Sequence, residues 1–174
     1  MKTTKDLIFI GLSIALCIVA TTILIPLPTG GMVHLGSAAL FLVSTIYGGL
    51  YGFLTGAIGS GLFDFLMGHM SYTIFSIIIK GLAGLVIGLM TVGFLPPQNS
   101  DNYPSIGRIL FATIIGAIVT AAGYFIAWAF VLGSYKAAVA ALPSSFLTSG
   151  VGIIIVVILV PKLQRPFRNL LNRK

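Results

Sequence analysis

The sequence predicts an all-α integral membrane protein, with residues 1–174 forming a single bundle of six transmembrane helices. Hydrophobic residues make up 57% of the chain and charged residues only 7%, whereas soluble domains carry roughly 25% charged residues. Apolar stretches recur at about 20 residues, the length that a helix needs to cross the hydrocarbon of a bilayer. Lipid is therefore the solvent for most of the surface.

The first half of the chain predicts three helices. Helix 1 covers Leu7–Ile25 and ends at two prolines. The apolar stretch Leu35–Met67 is too long for one span and short for two. The pair Gly48–Gly49 in its middle is the predicted break. We therefore expect a short helix 2 over about 35–47 and a helix 3 over about 49–67.

The second half predicts three more helices. Helix 4 runs over about Thr73–Phe94 and is followed by the polar loop Pro96–Pro104. Helix 5 covers about Ile106–Leu132. A loop over 133–143 holds at most a short helical turn. Helix 6 covers about Ser144–Val160 and is closed by a proline and a basic tail.

The distribution of positive charge predicts the orientation. Ten Lys and Arg residues stand against three acidic ones, for a net charge of +7. Six spans place both termini on one side, so that Lys2, Lys5, Arg108 and the five basic residues of the tail all face the cytoplasm. Only Lys136 then lies outside, which is the positive-inside bias of multi-pass proteins. Basic ends of this kind suit the bilayer surface, and we expect no nucleic acid as a partner.

Small residues recur at a spacing of four, which keeps them near one face of a helix. The stripes are Gly48, Gly52, Gly56, Ser60 and Asp64 in helix 3, Lys80, Gly84 and Gly88 in helix 4, and Ala112, Gly116, Thr120, Tyr124 and Trp128 in helix 5. Because small residues let membrane helices approach closely, we interpret these stripes as packing surfaces inside the bundle. Helix 1 carries a further small face, Gly11 and Ala15, which suits either internal packing or the docking of an external partner.

Two ionisable residues, Asp64 and Lys80, lie within the predicted spans. Such groups are expensive in a membrane and are functional candidates by default. They lie on either side of the turn between helices 3 and 4, so the hairpin allows them to meet. We predict a structural ion pair that pins the two helices, with direct contact of Lys80 or Asp64 with a ligand as the alternative.

Polar and aromatic side chains concentrate at the outward ends of the helices, where we predict a substrate-binding site. Its candidate residues are His34, His69, Ser71, Tyr72, Lys80, Tyr124, Trp128, Tyr135, Lys136 and Ser145. Aromatic rings stack on flat ligands, and hydroxyl and imidazole groups fix their orientation through hydrogen bonds. Tyr124 and Trp128 end a small-residue stripe and are expected to face inward.

The chain lacks the motifs of common enzymes. It has no Gly-xxxx-Gly-Lys-Ser/Thr, no His-Glu-xx-His and no Gly-x-Ser-x-Gly sequence. Cys17 is the only cysteine, which excludes a cysteine metal cluster. We therefore predict a protein that is not an enzyme, needs no cofactor or metal, and takes energy from a partner.

Three segments resemble the S components of energy-coupling factor (ECF) vitamin transporters, of the riboflavin/hydroxymethylpyrimidine-type branch. They are Val33–Ala39, Tyr51–Asp64 with its glycine-rich helix that ends in Asp, and Ile77–Gly84 with Lys-Gly in the fourth helix. Length, six spans and the small face of helix 1 agree over the whole chain. One departure is Ser37, where an aspartate is common in that branch.

The resemblance implies a multi-pass protein of the bacterial cell membrane that binds a vitamin at its outer face. A transmembrane T subunit and two ATPase subunits would supply the energy, and the small face of helix 1, Gly11 and Ala15, would be the docking site. The S component of this family is thought to topple in the bilayer during transport.

The residues favour a small neutral heteroaromatic substrate. The predicted outward loops contain no Asp or Glu to pair with a cationic vitamin. Hydroxymethylpyrimidine or pyridoxine is the first choice. Pantothenate follows, because Lys136 or a histidine could meet its carboxylate, and riboflavin and folate are further alternatives. The competing class is a small membrane-embedded enzyme or a structural membrane protein.

Overall fold

Six helices and one short β-hairpin account for the regular structure of the described residues. A computed structural model describes residues 4–28, 32–96 and 103–171, without the side chains at 5 and 164–171. The elements in chain order are α1 (Thr4–Thr22), β1 (Leu24–Pro26), β2 (Met32–His34), α2 (Gly36–Tyr47), α3 (Gly49–Leu66), α4 (Met70–Thr91), α5 (Ile106–Val131) and α6 (Tyr135–Leu171). The predicted all-α class with six helices is confirmed, and the hairpin is an addition to it.

The hairpin replaces the last residues of predicted helix 1. Helix α1 ends at Thr22, and strands β1 and β2 pair antiparallel with Leu24 opposite His34 and Ile25 opposite Val33. Proline cannot donate a ladder hydrogen bond, so Pro26 stands at the end of its strand. The pairing carries His34 back to the end of α1, which positions it at the site described below.

The predicted break between helices 2 and 3 is confirmed at Gly48. This residue has φ of 90°, a conformation that glycine adopts without steric cost. The following N–H of Gly49 donates to the carbonyl of Gly93 at 2.9 Å, which ties the break to the end of α4. Helices α2 and α3 are therefore separate helices joined at one sharp turn.

Glycines form the seam between α3 and α4, as the stripes predict. A Cβ atom on Gly84 would collide with the backbone of Gly52, and one on Gly88 would collide with the backbone of Gly49. A Cβ on Gly56 would meet the carbonyl of Lys80. The two backbones thus touch along this seam, and van der Waals contact replaces the hydrophobic drive that lipid removes.

The predicted bounds of helix 6 are wrong at both ends. Helix α6 begins at Tyr135, passes through Pro143 and Pro161, and ends at Leu171. Membrane helices tolerate proline where Ser or Thr side chains and local adjustment satisfy the freed backbone groups. The hydroxyl of Ser144, next to Pro143, donates to the carbonyl of Ala141 at 2.7 Å, which is not the carbonyl of Val139 that Pro143 leaves without an N–H donor. The segment 135–143, predicted as a loop, is therefore the first part of the helix.

Four of the helices in the described residues, α3 to α6, are long and apolar enough to cross a membrane. Helices α1 and α2 carry the shorter apolar stretches Asp6–Thr22 and Gly36–Tyr47. Large apolar side chains cover the outside of the bundle, and Phe130 and Ile74 are 79% and 70% exposed. This surface suits lipid, while the count of six spans and the side of the termini stay predictions.

The main apolar core closes one half of the bundle. Leu40 and Phe41 of α2, Ile87 of α4, Ile109 of α5 and Val156 of α6 are fully buried there. The opposite half of the bundle, where α3 ends and α4 begins, instead encloses a cavity.

Candidate functional site

The cavity has a volume of about 260 Å³ and lies between the hairpin and five helices. Its walls come from the end of α1, from β2, and from α3, α4, α5 and α6. The hairpin contributes Met32 and His34, and the end of α1 contributes Thr21. The site is thus assembled from residues that are distant in sequence and meet at one end of the bundle.

Polar side chains at a spacing of four line the cavity from each long helix. Helix α4 contributes Tyr72, Ser76 and Lys80, and α5 contributes Thr120, Tyr124 and Trp128. Helices α3 and α6 contribute the pairs Ser60 with Asp64 and Ser144 with Thr148. A step of four residues returns close to the same face of a helix. The cavity therefore continues the stripes that are built of glycine in the other half.

Lys80 is buried in the wall of the cavity, with only 3% of its surface exposed. Its ammonium Nζ donates to Ser37 Oγ at 2.8 Å. The same nitrogen lies 5.5 Å from the centre of the Tyr124 ring, within the range of a cation–π contact. Both partners are neutral, so they orient the ammonium without cancelling its charge.

The predicted ion pair between Lys80 and Asp64 is not formed among the described residues, because Lys80 bonds Ser37 instead. The close approaches of Gly56 to Lys80 and of Gly52 to Gly84 fix the register of the antiparallel helices α3 and α4. In that register Asp64 lies level with Tyr72. Tyr72 is two turns, or about 12 Å, from Lys80 along the axis. The two charges therefore face the same cavity at different depths.

Asp64 and Ser145 carry buried oxygen atoms that make no hydrogen bond within the protein. Asp64 is 9% exposed and its Oδ2 lacks a partner, and Ser145 is 6% exposed and its Oγ lacks one too. Leaving a buried polar atom unsatisfied costs about 1–3 kcal/mol, and more for a charged group. Because both residues line the cavity, a bound ligand is the natural partner for these atoms.

An aromatic pair stands beside these polar groups. The rings of Tyr124 and Trp128 have centroids 5.6 Å apart at an angle of 32°. The hydroxyl of Tyr124 shares a 2.8 Å hydrogen bond with Ser76 Oγ, which fixes the tyrosine ring. The arrangement offers a flat ligand an apolar surface with oriented polar groups at its edge.

His34 is held as a neutral hydrogen-bonding group. Its Nδ1 accepts from the N–H of Gly36 at 3.1 Å, so Nε2 is the nitrogen that carries the proton. Burial, together with the positive charge of Lys80, lowers the pKa of His34 to about 3. An imidazole with this pKa stays uncharged near neutral pH and serves as a donor through Nε2–H.

Seven of the ten predicted substrate-binding residues line the cavity: His34, His69, Tyr72, Lys80, Tyr124, Trp128 and Ser145. The other three, Ser71, Tyr135 and Lys136, are exposed and lie outside its lining. Ser71 is one residue away from the stripe of α4. Tyr135 is 75% exposed and packs its ring against Phe125, because α6 already begins there.

Sequence reasoning missed Ser76, Thr148, Phe63, Thr21 and Met32 as lining residues, and it assigned Ser60 and Thr120 only to packing stripes. A signal for Ser76 exists, since it stands midway between Tyr72 and Lys80 at the spacing of four. Thr148 follows Ser144 at the same spacing. Met32 has no such signal, because only the pairing of the hairpin brings it to the cavity.

The exposure of side chains on α1 shows which of its faces packs inside the bundle. Gly11 and Ala15 are exposed, and a Cβ atom on Gly11 would meet nothing within 4 Å. Ser13 and Cys17, on the other side of the helix, are 8% and 1% exposed. Internal packing therefore uses the face of Ser13 and Cys17 and leaves the face of Gly11 and Ala15 open.

Metal-binding residues do not cluster in the part of the chain that the structure describes. No group of three or more His, Cys, Asp or Glu side chains there could hold a metal ion. The donors at the cavity are mixed hydroxyl, imidazole, carboxylate and ammonium groups, which suit an organic molecule.

Comparison with known proteins identifies a similar fold and a family. The chain is similar in fold to a solved structure, the S component of a bacterial ECF transporter, with a TM-score of 0.66 and 21% identity over 97% of this chain and 98% of that one. No curated protein matches the sequence. The family model for the S component of the ECF-type riboflavin transporter matches residues 1–165. With nearly its whole length matched, this chain belongs to the ECF-type riboflavin transporter S component family.

Proposed function

We propose that the chain is the membrane-embedded, substrate-binding S component of an ECF transporter and captures a small vitamin or vitamin precursor in its cavity. The family is one of transport components and not of enzymes. The observation that carries the proposal is the pair of unpartnered buried atoms, Asp64 Oδ2 and Ser145 Oγ, beside the rings of Tyr124 and Trp128. A ligand that hydrogen-bonds to these atoms and stacks on the rings offsets the cost of burying the atoms without a protein partner.

The size of the cavity favours a single-ring substrate. Its volume of about 260 Å³ lies below the roughly 300–1,000 Å³ of pockets for drug-sized ligands. Hydroxymethylpyrimidine and pyridoxine are the first choices, since each is one heteroaromatic ring with hydroxyl groups. Two rings of the protein and several hydroxyl donors match that chemistry.

Riboflavin is the second candidate, because the matching family is that of riboflavin transporter S components. A three-ring ligand with a sugar-like chain needs more space than about 260 Å³, so part of it would lie outside the cavity. Folate, which is also larger, meets the same obstacle. For pantothenate, Lys136 is exposed and lies outside the lining, so its carboxylate would have to meet Lys80 or a histidine of the cavity.

The function is tested by ligand binding to the purified chain in lipid nanodiscs. Titration with hydroxymethylpyrimidine, pyridoxine, pantothenate and riboflavin should show saturable binding of a single-ring compound without its conversion. Ser145→Ala should weaken that binding several-fold, while the matched variant Ser71→Ala, at an exposed serine, should not. Absence of binding by all four, or equal effects of the two variants, would contradict the proposed site. Turnover of the ligand would favour an embedded enzyme.

Energy is proposed to come from a transmembrane T subunit and two ATPase subunits. S components of this family associate with such modules. The open face of Gly11 and Ala15 on α1 is the proposed docking surface, since small residues allow a foreign helix to approach closely. It lies apart from the cavity, to which α1 contributes only Thr21.

Docking is tested by adding bulk to that face. Gly11→Leu and Ala15→Leu should reduce vitamin uptake when the chain is co-expressed with T subunit and ATPases, while ligand affinity of the isolated chain stays unchanged. Leu16→Phe, which adds bulk at a 48% exposed position off the face of Gly11 and Ala15, is the control. A joint fall of uptake and affinity would mean that the face serves internal packing.

We further propose six spans with both termini in the cytoplasm and the cavity at the outer face of a bacterial cell membrane. The eight-to-one distribution of basic residues supports this orientation. Thr3→Cys and Asn172→Cys, each in a Cys17→Ala background, should both resist a membrane-impermeant thiol reagent in intact cells. Labelling of one terminus alone would overturn the even number of spans.

A further inference from the structure

The cavity holds one buried carboxylate and one buried ammonium that do not pair with each other. Lys80 and Asp64 are 3% and 9% exposed, and both line the cavity. Within the described residues no ion pair joins them. Burying a charge without a counter-charge costs several kcal/mol, so two such charges facing one cavity need compensation.

The partners of Lys80 leave its charge uncompensated. An ammonium has three donors, and one of them is used by Ser37 Oγ at 2.8 Å. The Tyr124 ring at 5.5 Å adds a weaker attraction. Neither is an anion, so the lysine end of the cavity is positive and retains donors for a ligand.

The aspartate end has the opposite character. Asp64 Oδ2 accepts no hydrogen bond, although the atom is fully enclosed. The other titratable groups that line the cavity are His34, His69, Tyr72 and Tyr124. His34 is the nearest candidate for a second cation at the lysine end, but its pKa of about 3 keeps it neutral. Asp64 therefore offers an acceptor on α3, while Lys80 offers donors from α4 on the same cavity.

We infer that the substrate is a dipolar heteroaromatic ring, which places an anionic oxygen on Lys80 and an N–H donor on Asp64 while it stacks against Tyr124 and Trp128. The inference rests on the proposed function and names the substrate class of that site. It sets the ligand dipole along the axis of the bundle. Each end of the ligand then supplies the counter-charge that the protein lacks.

This chemistry separates the two first-choice substrates. A hydroxypyridine such as pyridoxine forms an internal dipole, because the proton of its phenolic oxygen can reside on the ring nitrogen. An aminopyrimidine with a hydroxymethyl group has donors for Asp64 but no oxygen that ionises near neutral pH. The site therefore favours pyridoxine over hydroxymethylpyrimidine.

Absorption spectroscopy tests the bound form directly, because the dipolar, cationic and anionic forms of a hydroxypyridine absorb at different ultraviolet wavelengths. Pyridoxine bound to the purified chain should keep the dipolar spectrum over a pH range in which the free compound changes form. A bound spectrum that titrates in step with the free compound would overturn the inference.

Affinity measurements with a ligand analogue make the test independent of any one variant. Wild-type protein should bind pyridoxine about tenfold to a hundredfold more tightly than the analogue without the phenolic oxygen, as expected for a hydrogen bond to a charged group. Lys80→Met should lower the affinity for pyridoxine and leave the affinity for the analogue unchanged. Equal affinity for both compounds on the wild-type protein contradicts the inference even if the variant does not fold.

Failure of the inference and failure of the proposed function give different results. Tight binding of hydroxymethylpyrimidine without binding of pyridoxine overturns the dipolar substrate and preserves the vitamin-binding role. Absence of binding by every vitamin tested overturns both. Asp64→Asn should lower pyridoxine affinity by the same tenfold to hundredfold order, and an unchanged affinity would remove Asp64 from the site.

Discussion

The two halves of the seam between α3 and α4 share one spacing and differ in side chains. In the closed half, Gly52 and Gly56 on α3 and Gly84 and Gly88 on α4 bring the two backbones into contact. In the cavity half, the same steps of four carry Ser60 and Asp64 on α3 and Ser76 and Lys80 on α4. One helix pair thus serves as a tight joint at one end and as the wall of a binding site at the other.

The difference shows how a membrane bundle holds a cavity open. Lipid gives no hydrophobic drive for helix association, so the bundle depends on close backbone packing where it is closed. The glycine half supplies that packing, and the polar half can then keep unsatisfied atoms such as Asp64 Oδ2. Stability and binding should therefore be lost separately when one half is altered.

The largest effect on stability is expected from a methyl group in the closed half. Gly88→Ala places a Cβ against the backbone of Gly48 and Gly49. Overpacking typically costs about 1–3 kcal/mol, and backbone atoms yield less than side chains, so we expect the upper end. The measurement is thermal unfolding in detergent.

Gly150→Ala is the matched control for that variant, because nothing lies within 4 Å of a Cβ at this helical position. Alanine favours a helix over glycine by about 1 kcal/mol, so the control should be neutral or slightly stabilising. Equal melting temperatures of the two variants would show that the glycine seam does not hold the bundle.

The next effect is on binding and belongs to the cavity half. Trp128→Ala removes a ring from the aromatic pair and should lower affinity for the single-ring vitamin about tenfold or more, in line with about 1–3 kcal/mol per stacked ring. Thermal stability without ligand should change little. Calorimetric titration measures the loss.

Phe130→Ala is its control, since Phe130 lies two residues further along α5, is 79% exposed and packs on Phe75. It should leave the affinity unchanged. If both variants weaken binding alike, the loss comes from a disturbed α5 and not from a missing stacking surface.

A smaller effect is a pH dependence of stability, which arises from His34 in the cavity half. Because the folded pKa of His34 is about 3 and the unfolded value is about 6.5, the unfolded chain binds more protons between these values. Stability should therefore fall as the pH drops below about 6.5, by at most about 1.4 kcal/mol per pH unit from this group. Melting temperatures of wild type and His34→Gln as a function of pH test this.

His34→Gln should flatten the acid side of that profile. A profile that keeps its slope in His34→Gln would mean that the imidazole is not held neutral. Above pH 6.5 the profiles of the variant and the wild type should run parallel.

The smallest effect concerns the hydrogen bond between α6 and the hairpin. Thr148 Oγ1 of α6 donates to the carbonyl of Met32 at 3.2 Å and ties the hairpin to the bundle. Thr148→Val should cost about 1 kcal/mol and speed amide hydrogen exchange in β1 and β2. Thr22→Val, which removes only an exposed hydrogen bond to Val19 within α1, should leave hairpin exchange unchanged. Equal exchange in both variants would show that the contact does not restrain the hairpin.

Local pattern was sufficient for much of the site. The spacing of four on α4 and α5 brings Tyr72, Lys80, Tyr124 and Trp128 to one cavity, because a helix returns to the same face at that step. The same rule applied to Ser76 would have found it. Ser71 fails the rule by one residue, and its exposure shows how narrow the stripe is.

The sequence by itself determined the membrane class, the six helices, the break at Gly48 and the glycine seam, since each follows from hydropathy or from the geometry of a single helix. Only the tertiary structure decided that Lys80 bonds Ser37, 43 residues away, and not Asp64. It also decided that the strands Leu24–Pro26 and Met32–His34 pair beside the cavity and that α6 continues through Pro143. These outcomes depend on contacts between segments that are distant in sequence. The local spacing of residues does not determine which of the possible contacts forms.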